Sequence, residues 1–330
     1  PGPSRTPASP VRRGGLAPDA GCGQARRQER PGDEVPPMPT AARTRALRVS
    51  RVPLPLRPAL RLALAAVLLT GCVSTAAAPE SAQGTGRLAV AYEAARTAEE
   101  RAALAFLREH RVLEDAAAYA DARIALPRDV PLRAAACAAP NPHWDERTGR
   151  ITYCYGFVSE ARKVFAGSDT DGTPAQRAAA VDEDVVGLSN GVLFHELGHA
   201  LVDLYDLPVT GREEDAVDQL AVLLLASGDE RHTDYAISTI NAWGALWQAS
   251  EGGDPGVAAY SDVHSLDGQR FFDWACWLYG SDPGRFADAV DAEGNPDGVL
   301  PRDRAELCPA EYRRISSSWR TLLGPHLKQR

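Results

Sequence analysis

The stretch FHELGHALVDLYDLPVTGREEDAVDQLA, from Phe194 to Ala221, constrains the fold of this chain more than any other. It calls for two helices joined by a short turn, with two histidines on one and a run of acids on the other. His195 and His199 are four residues apart, which puts them about 40° from each other on one helical face, near enough for both imidazoles to reach one ion. Leu193, Leu197, Ala200, Leu201 and Leu204 supply the apolar stripe that holds such a helix against a core. The pattern predicts a helix end near Pro208 and a restart within TGREED, with Thr210 or Gly211 as its cap and acids in its first turn. From His199 to Asp206 a helix climbs about 10 Å. Residues 207 to 211 can span about 16 Å, so the second helix can begin beside the histidines.

That geometry points to a metal. Glu196, next to the first histidine, is placed to take a proton from a water on zinc, an ion that lowers the pKa of such a water to about 7. Gly198 leaves the crossing region unobstructed. A catalytic zinc needs a third protein ligand and an open position. The metzincin arrangement is excluded, because Val202 and Tyr205 stand where Gly and His are required. Glu213, Glu214 and Asp215 therefore compete for the role. A metal-bound histidine usually needs a further carboxylate to fix its ring, and Glu214 alone has an acid, Asp218, one turn on and on its own face; Glu213 has Val217 there and Asp215 has Gln219. Glu214 is the expected ligand, and Asp218 the partner that orients a histidine.

The ends of the chain carry a different signal. Its one methionine is Met38, so residues 1–37, rich in Pro, Gly and Arg, are expected to be an upstream extension. Residues 38–71 have the pattern of an export signal: six arginines between 43 and 61, then the apolar run LALAAVLLTG. That run is too short to span a bilayer. Its end, LTGC, resembles a lipobox, which makes Cys72 the expected lipid-bearing residue and the membrane a partner through that anchor. Residues 72–86 then read as a flexible tether and 87–330 as a single domain. The chain from Cys72 onward holds 24 Lys and Arg against 40 Asp and Glu, a formal charge of −16. Such a surface argues against nucleic acid and against anionic lipid headgroups as partners. An exported, lipid-anchored monomer of the cell envelope is expected.

Of six cysteines, Cys22 lies upstream and Cys72 is assigned to lipid, so Cys137, Cys154, Cys276 and Cys308 remain. In an oxidising compartment that even remainder reads as two disulfides. VPLRAAAC and GRITYCYGF look like strands flanking the turn-rich APNPHWDERTG, so Cys137 is expected to face Cys154 across a hairpin, leaving Cys276 to pair with Cys308. A zinc site of all four fits poorly, since no two have the close spacing such sites use. RLAVAY reads as a further strand, and 97 to 124 as helical. From about 158 onward the chain reads as helices broken by Gly and Pro. The predicted fold is α+β, a small antiparallel sheet followed by a mainly helical half.

HELGH followed by a helix with Glu-x-x-x-Asp resembles the gluzincin, or thermolysin-like, zinc metallopeptidases. Over nearly all of 87 to 326, four cysteines included, CAAPNPHWDERTGRITYCYGF, RFFDWACWLYGSDP and LPRDRAELCPAEYRRISSSW resemble a family of exported bacterial proteins described as "putative metallopeptidases". The resemblance implies a zincin-like fold around an HExxH helix, one Zn2+ per chain held by His195, His199 and Glu214, and a peptide or protein substrate. It makes Glu196 the general base and then the acid for the leaving amine. NPHW resembles an edge-strand sequence, Asn-Ala-x-aromatic, that holds substrate in thermolysin-like enzymes, with Pro142 in place of Ala; Asn141 is the corresponding substrate contact. An oxyanion stabiliser is also implied, and Tyr153, Tyr155, His232, Tyr235 and His264 are equal candidates. The competing reading is a non-catalytic binding or scaffold lipoprotein on the same fold. Retention of Glu196 favours the enzyme, since a structural site needs no general base.

Overall fold

The computed structural model describes residues 84–166, 172–250, 255–295 and 298–328. The signal segment, Cys72 and most of the tether lie outside them. Strand β1 (Leu88–Tyr92) leads into α1 (Ala98–Glu109). Thr97 starts that helix by accepting from the Glu100 N–H while the Glu100 carboxylate accepts from the Thr97 N–H, which satisfies two donors that a helix start leaves open. After α2 (Val112–Asp121) comes β2 (Val130–Ala135), parallel to β1 with Leu88 opposite Val130. A parallel pair needs a crossover, and α1 and α2 supply it. The short β3 (His143–Asp145) and β4 (Arg150–Cys154) complete a four-stranded sheet in the order β1-β2-β4-β3.

This sheet is mixed, which corrects the antiparallel expectation. β2 and β4 run parallel, and only β3 and β4 are antiparallel. The two apolar segments around the turn-rich sequence are not arms of one hairpin, because His143–Asp145 forms a third strand that reverses the chain at the sheet edge. After β2 the chain crosses to that edge, descends β3, turns, and rises along β4 beside β2. Gly149, at φ 59° in that turn, takes a left-handed conformation that suits glycine. Cys137 and Cys154 therefore meet at the same end of two parallel strands, with Cα atoms 5.5 Å apart.

The helical half comprises α3 (Gly156–Phe165), α4 (Pro174–Tyr205), α5 (Glu213–Ala226), α6 (Glu230–Ser250), α7 (Gly256–Tyr260), α8 (Asp267–Ser281) and α9 (Arg302–Leu323). Thr173 and Gln176 cap α4 reciprocally, with Pro174 in its first turn. Its 32 residues extend about 48 Å. Between Val185 and Val202 nearly every side chain of α4 is buried, because α2, α3, α5, α6 and the strands β3 and β4 enclose it. Cys276 of α8 is bonded to Cys308 of α9, with Cα atoms 5.2 Å apart. Among the described residues no helix is long and apolar enough to cross a membrane.

The end of α4 determines where α5 begins. Asp206 takes φ 50°, its N–H reaches the Asp203 carbonyl, and the Leu207 N–H reaches that of Val202. This is a left-handed stop with an acid in the place usually held by glycine. The cap of α5 is Arg212, in extended backbone and with no side-chain cap bond, rather than Thr210 or Gly211. Glu213, Glu214 and Asp215 give that first turn its negative charge. At the crossing of α4 and α5, a Cβ on Gly198 would lie 2.6 Å from Cβ of Val217. The glycine is what lets α5 come this close.

Candidate metal centre

Three ligand atoms converge where α4 meets α5. The Nε2 atoms of His195 and His199 are 3.2 Å apart, and Oε2 of Glu214 lies 3.0 Å from the first and 3.1 Å from the second. An ion bound tetrahedrally at about 2.0–2.1 Å holds its ligands about 3.3 Å apart. These residues form a group able to hold a metal ion.

The far side of each ring explains why this centre suits a cation. Nδ1 of His195 faces Oδ1 of Asp218 at 2.8 Å, and Nδ1 of His199 faces Oε1 of Glu213 at 2.7 Å. An ionised carboxylate has no proton to give, so each Nδ1 donates. In the neutral rings both Nε2 atoms are then bare, and their lone pairs meet the Glu214 oxygen at one point. Such a convergence of acceptors is stable around a cation or around added protons. The ionisation follows from this. Burial would lower the basicity of His199, yet its bonds to Glu214 and Glu213 push its pKa up to about 9. Burial opposes protonation of His195 too, and Asp218 and Glu214 more than offset it. Burial would raise Glu214, but its three histidine partners hold its carboxyl far below the usual range.

Asp218 is itself held. Its side chain is 4 % exposed, and Arg270 of α8 donates to Oδ2 from Nε at 2.8 Å and to Oδ1 from Nη2 at 2.7 Å. Burial would raise this carboxyl; the Arg270 guanidinium and His195 keep it well below its ordinary value. A fully partnered chain, Arg270 to Asp218 to His195, thus locks one ring from behind.

Glu196 is buried beside the pair, and its Oε2 accepts the Trp144 N–H at 2.7 Å. Trp144 sits opposite Ile151 on the edge strand β3, and its N–H turns away from the sheet toward α4. On the other side of the centre Nε2 of His264 lies 3.1 Å from Oε2 of Glu214, and its Nδ1 donates to Oδ1 of Asp262 at 2.9 Å. The hydrogen bond that the Glu214 carboxylate accepts from it raises the pKa of His264 against its burial. All of this opens into a cleft of about 1510 Å³, with β3 on one wall and residues 259–267 on another.

Of the five candidates for an oxyanion contact, the structure brings only His264 to the cleft. The Tyr153 hydroxyl is fully buried against Ser189 Oγ at 2.7 Å, and that of Tyr155 donates to the Glu93 carbonyl at 2.7 Å. His232 bonds Asp229 and stacks near Tyr119, while Tyr235 meets Arg231. Burial and these bonds account for all four. Asn141 lies on the cleft rim just ahead of β3. Sequence reasoning missed Glu213 as a histidine partner, and also Arg270, Asp262 and the Trp144 N–H. For Glu213 the signal existed, since it was weighed as a ligand; for Arg270, 52 residues beyond Asp218, there was none.

A family profile described as "Putative metallopeptidase" matches residues 92–323. No curated protein and no solved structure matches the chain.

Proposed function

The chain belongs to that metallopeptidase family, and from this premise we propose that it is an exported zinc peptidase in which His195, His199 and Glu214 hold one Zn2+ and Glu196 is the general base. The observation that carries the reading is the convergence of two bare Nε2 atoms and one carboxylate oxygen at metal-ligand spacing, with a second buried carboxylate beside them. A zinc ion held there would supply Lewis acidity to a water and to the scissile carbonyl. Glu196 takes the proton of the attacking water and returns it to the leaving amine. The Trp144 N–H fixes the carboxylate of Glu196 for that task. His264, oriented by Asp262 and carrying a proton on both ring nitrogens, donates from Nε2 to the oxygen on which negative charge develops. Arg270 and Asp218 hold His195 in the tautomer that presents Nε2, and Glu213 does the same for His199. Asn141, on the rim, takes a backbone group of the substrate.

Two disulfides fit an extracytoplasmic location. The lipid anchor at Cys72 and the division of the chain into signal, tether and a domain over 87–330 are part of this proposal, as are a monomeric state and the absence of nucleic acid as a partner. The test is metal analysis with a peptide-library digest read by mass spectrometry. Wild type should carry one zinc and cleave peptides; Glu214→Ala should lose the zinc, and Glu196→Gln should keep it while turnover drops by about 10²–10⁴-fold. Equal zinc in wild type and Glu214→Ala would remove the ligand assignment, and a zinc-loaded wild type that cleaves nothing would remove the peptidase.

A further inference from the structure

Among the described residues three of the five exposed large apolar side chains share one short segment, while Leu307 on α9 and Leu327 lie elsewhere. Val257, Tyr260 and Val263 are 84, 62 and 64 % exposed, and all three fall on α7 or the turn that follows it. The same segment is a wall of the cleft, where Ala259 and Val263 stand beside Asp262 and His264. Val257 and Tyr260 lie outside that lining, on the same short helix as Ala259. A single exposed valine needs no explanation, but three exposed apolar side chains between 257 and 263, one of them in the cleft wall, mark a contact surface.

Charge and shape indicate what lies there. Among the residues lining the cleft, carboxylates outnumber arginines eight to three. One of those arginines, Arg270, is committed to Asp218. A divalent ion at the centre offsets only two of the negative charges, so the cleft favours a cationic occupant. Its 1510 Å³ exceeds the roughly 300–1,000 Å³ of small-molecule sites, and the edge strand β3 forms one wall along which an extended chain can lie.

We propose that α7 and Val263 form a docking lip for an extended, cationic polypeptide, whose apolar side chains seat on the lip while its basic side chains face the acidic cleft. This rests on the peptidase reading and names its substrate class. Residues well beyond the scissile bond are then held, so cleavage is internal and needs no free terminus. A lipid surface would also accept exposed valines and a tyrosine, but the acid excess around them repels anionic headgroups.

The experiment uses zinc-loaded Glu196→Gln protein, so that binding is read without turnover. Fluorescence anisotropy is measured with a long, terminally blocked peptide of Lys, Leu and Ser, and with its counterpart carrying Glu for Lys. The cationic peptide should bind at least about tenfold more tightly, with the preference shrinking as salt rises. Val257→Ser combined with Tyr260→Ser should weaken its binding about fivefold or more at unchanged zinc content and unchanged near-UV circular dichroism. Glu146→Lys, on the opposite wall, should narrow the charge preference. Equal binding of the two peptides overturns the proposal, as does a lip variant that binds like its parent. So does adhesion to anionic vesicles that the lip substitutions abolish while peptide binding stays intact. If the binding pattern holds and wild type hydrolyses nothing, the peptidase reading falls and internal cleavage with it, while the lip stands as a binding surface for cationic chains.

Discussion

His195 and His199 owe their chemistry to atoms they share with carboxylates, and this makes the centre a site of competition between zinc and protons. In the metal-free protein His199 is pushed up to about 9 by Glu214 and Glu213, against the effect of burial, from an unfolded value of about 6.5. A raised folded value means that this contribution to stability is fully present below about pH 6.5 and is lost as pH rises through about 9. Zinc has the opposite dependence, because it needs the bare Nε2. The zinc-induced rise in unfolding midpoint should therefore grow between about pH 6.5 and 9. Thermal scans of stripped and zinc-loaded protein across that range check it, and a gap that is flat or narrows would show that these nitrogens are not the ligands. At this scale much was legible: HExxH and the Glu-x-x-x-Asp spacing named the three converging residues and one orienting acid. His264 could not be separated from four other candidates, because the burial of Tyr153 and Tyr155 is a property of packing that composition does not carry.

Helix α5 delivers Glu213, Glu214 and Asp218 together, and its distance from α4 is set by Gly198. On an exposed helical face, Gly to Ala gains about 1 kcal/mol. Here the added Cβ would sit 2.6 Å from Cβ of Val217, so the helices must part. Gly198→Ala should cost about 1–3 kcal/mol in urea unfolding and weaken zinc in a chelator competition, since the carboxylates retreat with α5. A variant more stable than wild type would show that the crossing is looser than it looks. The turn between the helices was anticipated in length but not in its chemistry. The sequence suggested a Thr or Gly cap; the helix instead starts from Arg212 with no side-chain cap bond, its first-turn acids complement the helix dipole, and Asp215 accepts from Ser265 Oγ at 2.7 Å. A cap is chosen by where the next helix must point, and here the histidines fix that direction.

Across the whole molecule two disulfides do different work. Cys276 and Cys308 are fully buried between α8 and α9, whereas Cys137 is exposed beside the loop that leads into β3. Gentle reductant without denaturant should open Cys137–Cys154 first, read by alkylation and mass spectrometry, and simultaneous opening would refute that ordering. Their separations of 17 and 32 residues correspond to about 3 and 4 kcal/mol of lost chain entropy in the unfolded state. The same scale shows where sequence stops. By itself it determined the helix pair, the two histidines and acids that meet on it, the four cysteines that pair as two disulfides, and the α+β division, because each follows from local period or from residue chemistry. Only the tertiary structure decided that the sheet is mixed, that β3 returns along its edge to hold Glu196 by a backbone N–H, and that Arg270 and His264 close the centre from distant segments. Strand direction and long-range pairing depend on how the chain crosses over itself to bury α4, and no local pattern encodes that path.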